Sequence, residues 1–393
     1  MPPKILSPLS SVKITFLGTA SAQPSSTRNH SSLALHLGGD VWLFDCGEAN
    51  QHRIQQSSVK MGKIHKIFIT HTHGDHIFGI LPLLASRLNG SGGMADGADD
   101  PRLHPPTAGE IADPLEIYGP LGTRAYVRTG LTYTHTILGG PYVVHELRLP
   151  TDPENGDHTS LPLNFAELPT GRNITQVDGV WPDIFSDSLI TVSAAPILHS
   201  VPCVGYVIQE RPVPGKIDPK EYIPHLKRTN TPMSVMRRLQ QGECIELSDG
   251  TIMKGPPRRP GRKIVVLGDT YDPSPIASIC TNADILIHEA TNAHLPGMDP
   301  NTKAEDTYEI VQERTKSRGH STPQMAGAFA KTIHAKKLIL NHFSSRYAGD
   351  DDVNEESAKI MAAIGSLAQQ EFGGEVLCAR DLMTVDVELP KTA

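Results

Sequence analysis

Six consecutive residues, His71-Thr72-His73-Gly74-Asp75-His76, offer four metal-ligating side chains. In an extended segment, side chains two apart share a side, so His71 and His73 can converge on one cation. Gly74 permits a turn, after which Asp75 and His76 can face a second cation at the start of a helix. Imidazole and carboxylate together suit zinc, and also iron or manganese. Three further candidates follow apolar segments: His199 after Ala194–Leu198, Asp269 after Ile264–Gly268 and His342 after Leu338–Leu340. Each would stand at the carboxyl end of a strand, where open α/β sheets assemble their sites. Asp269 is the natural bridge, because one carboxylate can give an oxygen to each of two cations. Such a pair, about 3.5–4 Å apart, lowers the pKa of a shared water until hydroxide exists at neutral pH, and neutralises charge on a phosphoryl oxygen. The leaving oxygen then needs a proton. His320, just ahead of an expected helix, can donate it, and Glu289 can orient that imidazole and raise its pKa.

The elements that must hold these residues are legible as short apolar runs rich in Val, Ile and Phe. Val12–Leu17, Val41–Phe44, Ile64–Ile69, Ile264–Leu267, Asp284–Ile287 and Lys337–Leu340 read as strands. Ile77–Leu88 and Thr322–His334 read as helices, the second capped by Ser321 or Thr322 with Pro323 in its first turn. The class expected is α/β with buried sheets. Residues 89–114 and 150–187 are polar and broken by Gly and Pro, and are expected to be surface insertions.

At 393 residues and 38% hydrophobic content the chain can bury a sizeable core. It has no apolar run near the ~18 residues that cross a bilayer, and Met1 to Ser11 lacks an apolar export segment. The five cysteines are scattered and never spaced as C-x-x-C, which argues against a disulfide framework or a thiolate metal site and for a reducing compartment. The expected location is the cytoplasm, the nucleus being a second compartment consistent with the same features. A net charge of −7 conceals a segregation. Residues 207–263 carry twelve Lys or Arg against six acids, a balance of +6, leaving −13 on the remainder. A basic excursion on an acidic body suits a segment that tracks phosphates, since counterion release depends on the local array. Its edges, Arg211-Pro-Val-Pro-Gly215 and Gly255-Pro-Pro-Arg-Arg-Pro-Gly261, read as two stems leaving the sheet.

HxHxDH followed by later His, Asp and His resembles the metallo-β-lactamase superfamily. Further stretches resemble one family within it, ribonuclease Z in its short form: Phe16-Leu-Gly-Thr-Ala20, Asp45-Cys-Gly-Glu48, Tyr142–Leu147, His199-Ser-Val-Pro-Cys-Val-Gly-Tyr206, Gly268-Asp-Thr270, His288-Glu-Ala-Thr291, His320-Ser-Thr322 and His342-Phe-Ser-Ser-Arg-Tyr347. The resemblance implies a four-layered αβ/βα sandwich over residues 12–390 with a protruding flexible arm at 207–263. It implies two zinc ions per subunit, one on His71, His73, His199 and Asp269, the other on Asp75, His76, Asp269 and His342. Asp75 would align or deprotonate the attacking water, with Glu289 and His320 assisting the leaving group. The reaction implied is removal of the 3′ trailer of precursor tRNA by cleavage 3′ of the discriminator nucleotide, in a homodimer whose arm grips the tRNA elbow. Pro212, Pro214 and Gly215 resemble the arm's Gly-Pro motif. Pro24–Asn29 resembles the PxKxRN loop, so Ser26, Arg28 and Asn29 are its candidate substrate contacts, Ser26 standing where the family has lysine. A small-molecule phosphodiesterase, thioesterase or lactonase of the same superfamily would use the same centre, and the basic excursion is what separates the two readings. A non-catalytic binding module is disfavoured by the full set of seven ligands.

Overall fold

A computed structural model describes residues 9, 11–89, 113–156, 160–215 and 217–390. Two mixed sheets face each other. The first runs in the order Thr384–Asp386, Val12–Gly18, Ser32–Leu37, Asp40–Phe44, Ile64–Phe68, Leu115–Pro120, Tyr142–Arg148, Asn173–Thr175. The second runs Glu375–Cys378, Lys337–Asn341, Ile285–Glu289, Lys263–Leu267, Cys203–Glu210, Ile190–Ile197, Trp181–Ser186. Between them lies a core in which Phe16, Phe44, Phe68 and Tyr118 of one sheet meet Val192, Tyr206, Val266, Ile287 and Ile339 of the other. Both sheets are buried on their outer faces too, which is why their strands read as apolar runs with little alternation. Outside the first, Leu83, Leu84, Val127 and Leu131 of two helices cover Leu43, Ile67 and Ile117. Outside the second, helices Pro323–Thr332 and Glu355–Phe372 cover Leu286, Leu338 and Leu340. These are the four layers αβ/βα that the resemblance implied.

The helix at 323 begins as its sequence predicts: Thr322 Oγ1 accepts from Met325 N and Pro323 occupies the first turn. The helix expected over 77–88 divides in two, a single turn Gly74–Ile77 and then Ile80–Asn89. Gly79 is where it breaks, because its N–H donates to Cys46 O and a Cβ there would lie 2.0 Å from Gly47 O. That close approach locks the metal loop onto the end of the neighbouring strand.

The two expected surface insertions fare differently. Most of the first insertion, 90–112, lies outside the described residues. The second, 150–187, is no ornament: it supplies an edge strand to each sheet, and Trp181 and Ile184, each 1% exposed, enter the inter-sheet core. Pro182 and Asp183 between them point outward, and that polar pair hid the strand. The basic excursion leaves the second sheet at Arg211 and returns at Arg262, since Val207–Gln209 pair with Lys263–Val265. It holds helices Pro219–Arg228 and Val235–Gln240 and the hairpin Cys244–Glu246 with Ile252–Lys254. Tyr222, Leu226, Leu239, Ile245, Leu247 and Met253 give it a small core of its own. All five cysteines are free thiols.

Candidate metal centre

Strand Ile64–Phe68 is flanked by parallel neighbours on both sides, so the chain emerging from it is held at the middle of the sheet edge. Thr70 and His71 are fully buried there, His73 stays extended, and the turn from Gly74 carries Asp75 and His76. The second sheet delivers His199, Asp269, Glu289 and His342 at or just beyond four strand ends. His342 turns inward through a left-handed backbone, φ 55°.

The seven predicted ligands form two clusters. His71 Nε2 lies 3.1 Å from His73 Nδ1, which lies 3.3 Å from His199 Nε2. His76 Nε2 lies 3.1 Å from His342 Nε2, which lies 3.4 Å from Asp75 Oδ2. Asp269 stands between them with its oxygens divided. Oδ2 is 3.7 Å from His71 and 4.0 Å from His199, while Oδ1 is 3.4 Å from His76 and 3.3 Å from His342. Four of the five imidazoles have their other nitrogen in use: His71 Nδ1 against Thr70 Oγ1 (3.0 Å), His76 Nδ1 on Asp45 Oδ2 (2.7 Å), His199 Nδ1 on Gly319 O (2.7 Å) and His342 Nδ1 against Thr291 Oγ1 (3.2 Å). Where Nδ1–H donates outward, as to Asp45 and Gly319, Nε2 points a lone pair inward, and such lone pairs converging within each cluster are satisfied by a cation and not by one another. The donor set, three histidines with a carboxylate and two histidines with two carboxylates, fits zinc in each half.

Charge reinforces this. Burial alone would raise the pKa of Asp269, but His342, His76 and His71 hold it well below the carboxylate range. Burial would lower that of His76, and Asp269 and Asp45 override it upward. The same negative field that retains a proton on an imidazole draws in a cation when the proton leaves. His320 sits at the rim, its Nδ1 3.1 Å from Glu289 Oε1 and 3.8 Å from Asp269 Oδ2. Burial works against its charge, yet Glu289 and Asp269 raise its pKa to about 9. Glu289 is itself kept ionised: against its burial, the charge of His320 lowers its pKa, and Thr270 N donates to Oε1 at 2.7 Å.

Residues absent from the sequence-based site set the geometry. Asp45 accepts from His76, from Thr70 N at 2.7 Å and from Thr70 Oγ1 at 2.9 Å, and so fixes one ligand and the root of the metal loop together. The available signal was its place at the end of the adjoining strand. The candidate substrate contacts fare differently. Ser26 is exposed, whereas Arg28 is 1% exposed. Its guanidinium donates to Tyr347 O, Ala379 O and Thr19 Oγ1 and lies 4.6 Å over the Phe343 ring, tying the loop to the protein body. Asn29 is half-buried and donates to Glu48 O. The cleft over the centre, about 490 Å³, is lined instead by Ser21, Ala22, His30, Glu48, Phe78 and the metal-loop residues, with Asp269 and His320. Pro212, Pro214 and Gly215 lie at the root of the excursion, where Pro212 O accepts from Arg258 and a Cβ on Gly215 would lie 2.3 Å from Pro257 O. None of the three lines that cleft.

A family model described as Anti-Pycsar protein Apyc1 matches residues 12–89, the part that holds the first four ligands. The chain is 34% identical to zinc phosphodiesterase ELAC protein 1 of Bos taurus, over 97% of this chain and all of that protein. It is 33% identical to ribonuclease Z of Bacillus subtilis, over 92% of this chain and 97% of that one. The crystal structure of human tRNase Z, short form, superposes with a TM-score of 0.60 at 30% identity, covering 96% of this chain and 100% of that one. YhfI of Bacillus subtilis, described as a metallo-β-lactamase fold protein, shares the fold at TM-score 0.50 and 18% identity, over 96% and 99% of the two chains.

Proposed function

Because the chain belongs to the ribonuclease Z family and has the metallo-β-lactamase fold, we propose that it is a zinc-dependent endonuclease that removes the 3′ trailer of precursor tRNA. The bond cleaved is the phosphodiester 3′ of the discriminator nucleotide, and the tRNA keeps a 3′-hydroxyl. For the chemistry, the observation that carries the reading is Asp269, whose two oxygens face two separate histidine clusters. For the substrate, it is full-length kinship with enzymes named for that activity, supported by the +6 excursion.

Two zinc ions per subunit are the proposed complement. His71, His73, His199 and Asp269 would hold one, and Asp75, His76, Asp269 and His342 the other; iron or manganese would find the same donors. When bound, the pair supplies hydroxide from water at neutral pH and positive charge opposite the phosphoryl oxygens. Asp75 remains a carboxylate because His342 and His76 lower its pKa against its burial. Its Oδ2, already accepting from Ala22 N at 2.7 Å, is placed to align the attacking water. His320 enters the reaction protonated and gives that proton to the departing 3′ oxygen of the discriminator ribose, with Glu289 holding the imidazole in place.

Residues 211–262 serve as the tRNA exosite on a catalytic body spanning 12–390. Removing Glu210 and Arg262 from the count as a buried ion pair, 2.7 Å apart, leaves the excess of +6 unchanged. A homodimer, in which one subunit's excursion holds the tRNA that its partner cleaves, suits a charge array carried on a stem away from the cleft. Among the described residues no helix is long and apolar enough to cross a membrane.

The test is incubation of the zinc-loaded protein with end-labelled precursor tRNA. A product ending at the discriminator with a free 3′-hydroxyl is expected. Cleavage elsewhere, or hydrolysis of small phosphodiesters and thioesters with tRNA left intact, overturns the reading in favour of a small-molecule hydrolase.

A further inference from the structure

One side chain in the wall of the cleft is a phenylalanine that faces outward. Phe78 follows directly on the turn that carries Asp75 and His76, lines the cleft, and is nevertheless 56% exposed. Its ring lies over the metal loop, close enough that a Cβ on Gly74 would be 2.2 Å from Phe78 Cε2. The apolar core beneath is built from Ile77 and Ile80 on either side of it, so the ring is left over from packing. Beyond it lies Tyr126, half-buried against the core of the helix layer and stacked on Phe78 at 6.3 Å between centroids and 26° between planes. Tyr126 belongs to helix Thr123–Tyr133, and Tyr133, 71% exposed, follows seven residues later. Seven residues are two turns, so the two tyrosines share one face about 10 Å apart. The arginines of this helix add no charge to that face. Arg128 is buried against Glu167 at 2.8 Å and Arg124 against Glu146 at 3.5 Å.

We propose that Phe78, Tyr126 and Tyr133 form a stacking track for the unpaired 3′ trailer, leading it away from the metal centre. The proposal rests on the ribonuclease reading above. A paired acceptor stem offers backbone and base edges, its base faces being already stacked, whereas an unpaired strand offers faces that rings can take. A ring accepts any base, so the track holds trailers without reading their sequence. It also divides the labour: the excursion supplies cations for phosphates of the folded tRNA, and this wall supplies rings for the single strand. Its continuity with the cleft through Phe78 is what assigns it to the strand being cut.

The experiment uses the holoenzyme with two precursors of one tRNA, bearing a single-nucleotide trailer and a long unpaired one, each also made with 2-aminopurine as the first trailer base. Phe78→Ala and Tyr133→Ala should raise KM for the long trailer by about fivefold to a hundredfold per ring, the range of one base stack. Tyr133→Ala should leave KM for the single-nucleotide trailer within twofold. Phe78→Ala should relieve the quenching of bound 2-aminopurine, and Phe78→Tyr and Tyr133→Phe should restore wild-type behaviour. Equal losses on both precursors in Tyr133→Ala, or no loss on the long one in either variant, overturn the track. Failure of the wild-type protein to cleave either precursor would instead count against the ribonuclease reading itself.

Discussion

The metal loop and the basic excursion leave the same fold in opposite conditions. Residues 70–76 emerge between two parallel neighbours, and four of the five ligand imidazoles are oriented through their outer nitrogen by Thr70, Asp45, Gly319 or Thr291. The excursion at 211–262 joins the body by a stem, and its six-residue core makes no part of the three larger ones. The difference follows from the role proposed for each. A metal centre tolerates ligand errors of only tenths of an ångström, so its donors are fixed by strand ends from both sheets. Phosphates spread over a large RNA need reach and charge, which a separately folded unit on a stem provides.

The sharpest break in this comparison is at Asp269. Asp269→Asn keeps the shape but removes the charge shared by the two clusters. Turnover should fall far beyond the 10- to 100-fold typical of losing a mere outer partner, and bound zinc should fall with it. Metal analysis alongside a precursor tRNA assay decides the matter. A variant that retains two zinc ions and activity would show that the clusters do not depend on a bridge.

The excursion should behave in the opposite way. Replacing residues 214–258 with an Asn-Gly turn preserves the antiparallel bridge between Val213 and Arg259, 3.0 and 2.9 Å, and the ion pair of Glu210 with Arg262. Catalytic efficiency on precursor tRNA should drop by about 100-fold or more, and its dependence on log salt should flatten by roughly one unit of slope for each phosphate that the excursion no longer neutralises. Hydrolysis of a small chromogenic phosphodiester should persist, since no described residue of the excursion lines the cleft. Equal loss of both activities would mean that the two regions are one functional unit.

How far these regions can be read from sequence differs for a physical reason. The clustering of the candidate ligands is legible because four sit within six residues and the rest follow apolar runs, a pattern set by strand ends. Asp45 is less so, because its bond to His76 spans 31 positions and depends on which strands pair. The burial of Arg28 is not legible, because an arginine in a polar loop looks solvent-facing. What buries it is a set of backbone carbonyls and the Phe343 ring, brought from more than 300 residues away. The division of the expected helix at Gly79 depends likewise on an approach by Cys46 and Gly47 that periodicity does not encode.

A smaller effect tests how the metal centre is tuned at its rim. Glu289, with Asp269, raises the pKa of His320 to about 9 against its burial, so at neutral pH the imidazole carries the proton that the proposed mechanism has it donate. Glu289→Gln removes the charge while still able to accept from Thr270 N. The pKa of His320 must then fall, and the acid form is lost at lower pH than before. The alkaline limb of kcat/KM should move toward neutrality, with about tenfold or less lost at pH 7 and more at pH 8, since a general acid contributes about 10²- to 10⁴-fold when fully protonated. His320→Ala should abolish that limb and leave zinc content unchanged. If the limb stays in place in Glu289→Gln, the carboxylate acts on the geometry of Thr270 and not on the proton, and the rim belongs with the scaffold.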